Sequence, residues 1–190
     1  MMPSNIEKSP VSTPLWVTEP FRVFLPLGIL SSIVGVLIWP LFYANVWAGT
    51  PPVQHPRFMI FGFGFAFVAG FLGTAWPRFL EAAEIRRVEL AVLVAQVFCI
   101  LNWIQACDAA FAIHAFSLFG VLTSRLRWGG KKEDRPPAGL VVACGTVFTG
   151  GCIAAVWSLF VGKLTLWQFT VCELFLWQGL LLLPLLGVGS

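Results

Sequence analysis

Residues Gln54 to Leu80 read QHPRFMIFGFGFAFVAGFLGTAWPRFL, and this stretch decides the fold. His55 and Arg57 stand at its entrance, and the run from Phe58 to Pro77 carries no charge. About 20 apolar residues at about 1.5 Å each match one crossing of a hydrocarbon core. Small residues recur at Gly62, Ala66, Gly70 and Gly73, the spacing by which helices approach closely in lipid. A flat macrocycle lying on the bare backbone is the other use of such a face. Phe63, Phe67 and Phe71 line another side, suited to lipid or core packing. The stretch reads as a membrane helix with a polar doorway.

Composition extends that reading to the whole chain. Of 190 residues, 58% are hydrophobic and 11% charged, with 18 Phe and 9 Trp. A soluble domain carries about 25% charged residues, so the balance points to the lipid phase. The net charge of +3 comes from basic residues in short loops between apolar runs, which orients a membrane protein and gives no nucleic-acid surface. Cys99, Cys107, Cys144, Cys152 and Cys172 sit in or beside apolar runs without CxxC or CxxCH spacing, and read as small apolar residues. No nucleotide-binding glycine loop, HExxH or nucleophile constellation is present.

The expected fold is all-α, a polytopic transmembrane bundle. A polar tail over 1–20 precedes spans at about 23–43, 58–76, 88–103, 109–124, 138–161 and 165–188. The tail has no compact signal-peptide layout, so the first span is expected to be retained. With the N-terminus inside, the inner segments hold Lys8, Arg22, Arg78, Arg86, Arg87, Arg125, Arg127, Lys131, Lys132 and Arg135, and the outer ones only Arg57 and Lys163. Such a bias places both termini in the cytoplasm. The end, LLLLPLLGVGS, lacks a basic anchor, and the chain reads as the first half of a longer protein. Expected partners are the lipid bilayer and that remaining half.

Ionisable groups inside spans are costly and mark function by default. His55 sits at the outer mouth of the second span. His114 lies about 9 Å, and Glu173 about 12 Å, in from the outer end of its own span. Imidazoles ligate haem iron and copper, and a carboxylate can support them or accept a proton. The plainer alternatives are that His114 bonds Glu173, Gln105 or a helix carbonyl, that His55 is an interfacial loop residue, and that Glu173 is protonated and bonded to a neighbouring helix. Arg57 can pair with Asp108 on the same side, or hold an anion.

The opening PFRVFLPLGIL, the central HPRFMIFGFGFAFVAGFLGTAWPRFL and the closing QGLLLLPLLGVGS resemble the NnrS family of polytopic bacterial membrane proteins. The resemblance implies haem and copper binding and a role in the response to nitric oxide, in or near denitrification. It also implies members about twice this length. The family's central motif is similar to His-x-His-Glu-Met followed by Phe-Gly-Phe. His55, Met59 and Phe61-Gly62-Phe63 match it, whereas Arg57 and Phe58 stand where the second histidine and the glutamate would be. His55, His114 and Met59 are therefore the expected metal or haem ligands. Half of a transporter or channel, with Glu173 and His114 lining its path, and a non-catalytic membrane scaffold are the competing functions.

Overall fold

Helix α1, Phe21–Tyr43, begins directly after Pro20. Pro26 and Pro40 lie near its two ends, where a missing backbone donor costs least. Inside it, the Ser31 and Ser32 hydroxyls donate to the Leu27 and Ile29 carbonyls at 2.9 and 2.8 Å, so neither brings an unpaired donor into an apolar helix. Asn45, with φ 57°, stops α1, and the Val46 N–H closes back on the Leu41 carbonyl at 2.9 Å.

The computed structural model describes residues 18–102, 107–128, 138–160, 171 and 174–179, and the regular elements among them are all helical. Helix α2 runs Pro51–Phe79, α3 Arg87–Asn102, α4 Cys107–Trp128 and α5 Ala138–Phe160. A short π turn spans Phe175–Gly179. The helix of the opening stretch starts seven residues before the expected Phe58. Pro51 and Pro52 occupy its first positions, where an N–H has no intrahelical partner in any case, so they open a helix here instead of forming a loop. Pro56 then has no N–H for the preceding turn, and from Phe58 to Gly64 the helix widens to π geometry before returning to α at Phe65.

Packing follows the small residues. In lipid, helix association rests on close van der Waals contact, not on removing apolar surface from water. A Cβ at Gly28 would lie 3.3 Å from Ala66 Cβ, and one at Gly35 would lie 3.2 Å from Phe58 Cβ. One at Gly70 would lie 2.9 Å from Phe24 Cβ and 3.0 Å from Phe21 Cα. These pairs run in opposite directions along the two helices, so α1 and α2 are antiparallel neighbours in contact over most of their length. The small face of α2 is thus a helix-packing face, while Phe67 and Phe71 stay exposed on its flank. Helix α3 packs on α4, and α4 on α5 and α2. The Trp76 ring, fully enclosed, donates from Nε1 to the Leu122 carbonyl at 2.8 Å and ties α2 to α4.

Among the described residues three helices are long and apolar enough to cross a membrane, Phe21–Tyr43, Pro51–Phe79 and Val141–Phe160. The expected six are not reached there. Helix α3 has only 16 residues. Helix α4, with 22, is longer than the expected 109–124, but Asp108, His114, Ser117, Ser124 and Arg125 dilute its apolarity. The stretch 165–188, apart from residues 171 and 174–179, lies outside the described residues, as do Glu173 and residues 1–17 of the tail.

Charges collect at one end of the bundle. Glu19 is shared by Arg22, at the start of α1, and Arg78, at the end of α2. The Arg22 guanidinium first, then that of Arg78, holds the Glu19 carboxyl below the usual carboxylate range. Arg125, near the end of α4, is ion-paired with Glu89 at the start of α3 and donates to the Glu84 carbonyl at 3.2 Å. Antiparallel helices bring these basic residues, distant in sequence, to a common level.

Candidate functional site

The opposite end carries the doorway. His55 lies in the first two turns of α2, on a helix and not in a loop. Its Nδ1 is 2.9 Å from the Gly35 carbonyl of α1, and Trp39 meets the ring edge-on with centroids 6.3 Å apart. A carbonyl only accepts, so Nδ1 donates here, and in the neutral tautomer this leaves the lone pair on Nε2. Protein metal-binding histidines are commonly oriented in this way. One turn further on, Met59 packs beside the same glycine, with Sδ 3.3 Å from where a Gly35 Cβ would be. His55 and Met59 therefore share one face of α2, opposite the small residue of α1 that leaves room for both.

Arg57 takes no part in that face. Its Nε and Nη2 donate to the two carboxylate oxygens of Asp108 at 3.1 and 3.0 Å, and Nη1 donates to the Val53 carbonyl at 3.1 Å. The fork geometry pins the first turn of α4 to the doorway. Its neighbour Phe58 is buried against α1. The two positions that depart from the family motif thus serve packing and pairing. Gln54, also buried at this end, accepts from Trp47 Nε1 at 2.6 Å.

His114 lies elsewhere. Its ring has no exposed surface and sits between Phe65, at 5.2 Å, and Phe24, at 6.5 Å. Its Nδ1 is 3.1 Å from Gln96 Oε1 on α3, and the amide nitrogen of Gln96 donates to Ser117 Oγ at 2.8 Å. His114 Nε2 is buried with no partner among the described residues. Gln96 and Ser117 are polar partners that reading the sequence missed; the signal was a lone glutamine and a serine inside otherwise apolar runs.

The structure brings His55 and Met59 together and keeps His114 apart. His55 meets α1 at Gly35, whereas His114 meets it at Phe24, eleven residues along the helix, a separation of about 17 Å in depth. One metal ion cannot bridge the two imidazoles. The residues differ in what they fit. The His114 ring is fully enclosed beside Phe24 and Phe65, so no edge of it is open to a ligand in this packing. An imidazole nitrogen and a thioether on one face suit a soft metal ion such as copper; a haem iron, with one axial position on each side of the ring, would take only one of the two from that face. No group of three or more His, Cys, Asp or Glu side chains stands ready to hold a metal among the described residues, so the pair needs a further donor.

Long apolar antiparallel helices, most of the described charges gathered at one end and a histidine-methionine doorway with the Arg57–Asp108 pair at the other define a helical bundle suited to the membrane. The chain belongs to the NnrS family: the family model described as NnrS protein matches residues 15–188. No curated protein and no solved structure matches it.

Proposed function

We propose that this is a multi-pass inner-membrane protein of the NnrS type that binds copper or haem at the His55–Met59 doorway and serves the response to nitric oxide. The observation that carries the reading is the Gly35 carbonyl on His55 Nδ1, which in the neutral ring leaves the lone pair on Nε2, together with Met59 Sδ packed against the same glycine. His55 and Met59 would hold the metal. A copper or haem iron centre there would supply a redox-active site able to bind nitric oxide. Gly35 orients the imidazole, Trp39 shields its edge, and the Arg57–Asp108 pair keeps the mouth of α2 and α4 closed on each other.

The test is an absorption spectrum and metal analysis of the full-length protein purified in detergent. His55→Ala should lower copper or haem content by about tenfold or more, the scale on which even residues that only orient a ligand act. His114→Leu should leave it in place. Absence of both a Soret band and copper above background would sink the proposal; equal loss in His114→Leu would show the doorway to be the wrong site.

We further propose six spans with both termini cytoplasmic, on the strength of Arg22, Arg78, Arg87 and Arg125 lying at one end of the helices that carry them, with Arg86 directly before one of these. A reporter fused after Lys132 should then behave as cytoplasmic, and a periplasmic signal would reverse the orientation.

A further inference from the structure

The flank of the α1–α2 pair is not smooth. An open apolar groove of about 710 Å³ runs between the two helices, walled by Phe21 and Leu25 on α1 and by Phe67, Gly70 and Phe71 on α2. The small residues that draw the helices together leave a channel between the larger side chains on either side. From Phe67 to Phe79 the groove follows twelve residues of α2, about 18 Å, close to the acyl layer of one leaflet, half of a core about 30 Å thick.

The charged end of the groove adjoins a second cavity. This recess, of about 170 Å³, is lined by Thr18, Gly73, Pro77, Glu81 and Glu84, and it shares Thr74 and Arg78 with the groove. An apolar slot one leaflet deep therefore adjoins, across Thr74 and Arg78, a polar recess holding one guanidinium and two carboxylates. Arg78 gives Nη2 to Glu19 at 2.9 Å, and a guanidinium has five N–H donors in all, so further donors remain for an anion. The Arg78 side chain is 59% exposed, so it is open to a ligand at the headgroup level.

We propose that groove and recess together bind one phospholipid with a primary-amine headgroup, phosphatidylethanolamine being the type: acyl chain along Phe67–Phe79, phosphate at Arg78, ammonium at Glu81 and Glu84. The charges choose among lipids. A purely anionic headgroup would meet two carboxylates of its own sign. A trimethylammonium headgroup brings the right charge but no N–H donors for those carboxylates, whereas a primary ammonium brings three. The inference rests on the membrane setting of the chain and is independent of any metal at the doorway.

The test is native mass spectrometry of the full-length protein in mild detergent, with phosphatidylethanolamine, phosphatidylcholine and phosphatidylglycerol supplied in equal amounts. Phosphatidylethanolamine should be retained about fivefold or more over each of the others, the factor expected of one net hydrogen bond worth about 1 kcal/mol. Arg78→Gln and Glu84→Gln should each remove the preference, and Leu25→Trp, which narrows the groove, should cut retention of all three lipids while the circular dichroism stays helical. Equal retention of the three would mean lipid held only as solvent, and preference for phosphatidylglycerol would rule out the amine site. Crosslinking of Phe71→Cys to a second copy across the groove would give the surface a protein occupant. Any of these three results overturns the proposal.

Discussion

Replacing Glu89 by alanine is expected to cost about 3 kcal/mol or more of stability, because the change strands a buried cation. The Arg125 side chain is 7% exposed and has Glu89 as its ion-pair partner. Its Nη1 is given to Ser124 Oγ at 3.0 Å, but neither that hydroxyl nor the Glu84 carbonyl brings a compensating charge, and Nε has no partner among the described residues. Glu89 is 24% exposed, which lets some water reach the pair and sets the estimate at the low end of the range for broken buried pairs. The same carboxylate also accepts from the Arg86 N–H at 2.8 Å, closing the first turn of α3 in the manner of a capping box. Thermal unfolding in detergent should therefore rank Glu89→Ala as severe, Glu89→Gln as intermediate because an amide oxygen can still cap, and the double change Glu89→Leu with Arg125→Met as the mildest. If Glu89→Ala unfolds no earlier than the double variant, the pair is solvated and the cation was never stranded.

That ion pair shows what reading the sequence could and could not deliver. The helices were legible because their signal is bulk apolarity over some twenty residues, and the common end of the basic groups followed from counting alternate connections. The Arg57–Asp108 pair was within reach for the same reason, since both residues fall at one end of their helices. Pairings deep in the bundle were not. Whether His114 meets Gln96, Gln105 or Glu173 depends on the rotation and register of α3 against α4, and α3 has hydrophobic residues all round, with no stripe to fix its rotation. The start of α2 was misread for a local reason: Pro51, Pro52 and Pro56 look like loop residues, but two of them sit where a helix needs no donor. The error mattered, because it left His55 in a loop when it lies in a helix, and hid its i, i+4 relation to Met59. The π stretch from Phe58 to Gly64 had no distinct sequence signal; it depends on which carbonyls the helix can reach after Pro56, which is decided by packing.

Packing on that π stretch governs the second large effect, expected from Phe111→Ala. The Phe111 ring is fully buried and stacks on Phe61 with centroids 4.2 Å apart and planes 10° from parallel; Phe65 meets its face edge-on at 4.8 Å. It therefore presses against both the π segment and the first turn of α beyond it. A π turn places more residues per turn than the α-helix around it and persists where neighbours over-determine it. Truncating a fully buried phenylalanine costs about 3–5 kcal/mol, and in lipid that cost is lost packing contact and an unfilled cavity. Phe111→Leu keeps most of the volume and should cost about 1.5 kcal/mol or less. The larger truncation should do more than lower the unfolding temperature. With its buttress gone, residues 58–64 should exchange amide hydrogens faster than the rest of α2, and any metal held at the doorway should be lost, even though the α2 rings that Phe111 meets are those of Phe61 and Phe65. Hydrogen exchange followed by mass spectrometry separates local from global loosening. Faster exchange confined to 58–64 is the signature of a π segment held by its neighbour on α4. A uniform rise along α1, α2 and α4 would make Phe111 an ordinary core residue, and the π geometry would then have to be intrinsic to the Pro56–Gly64 stretch itself.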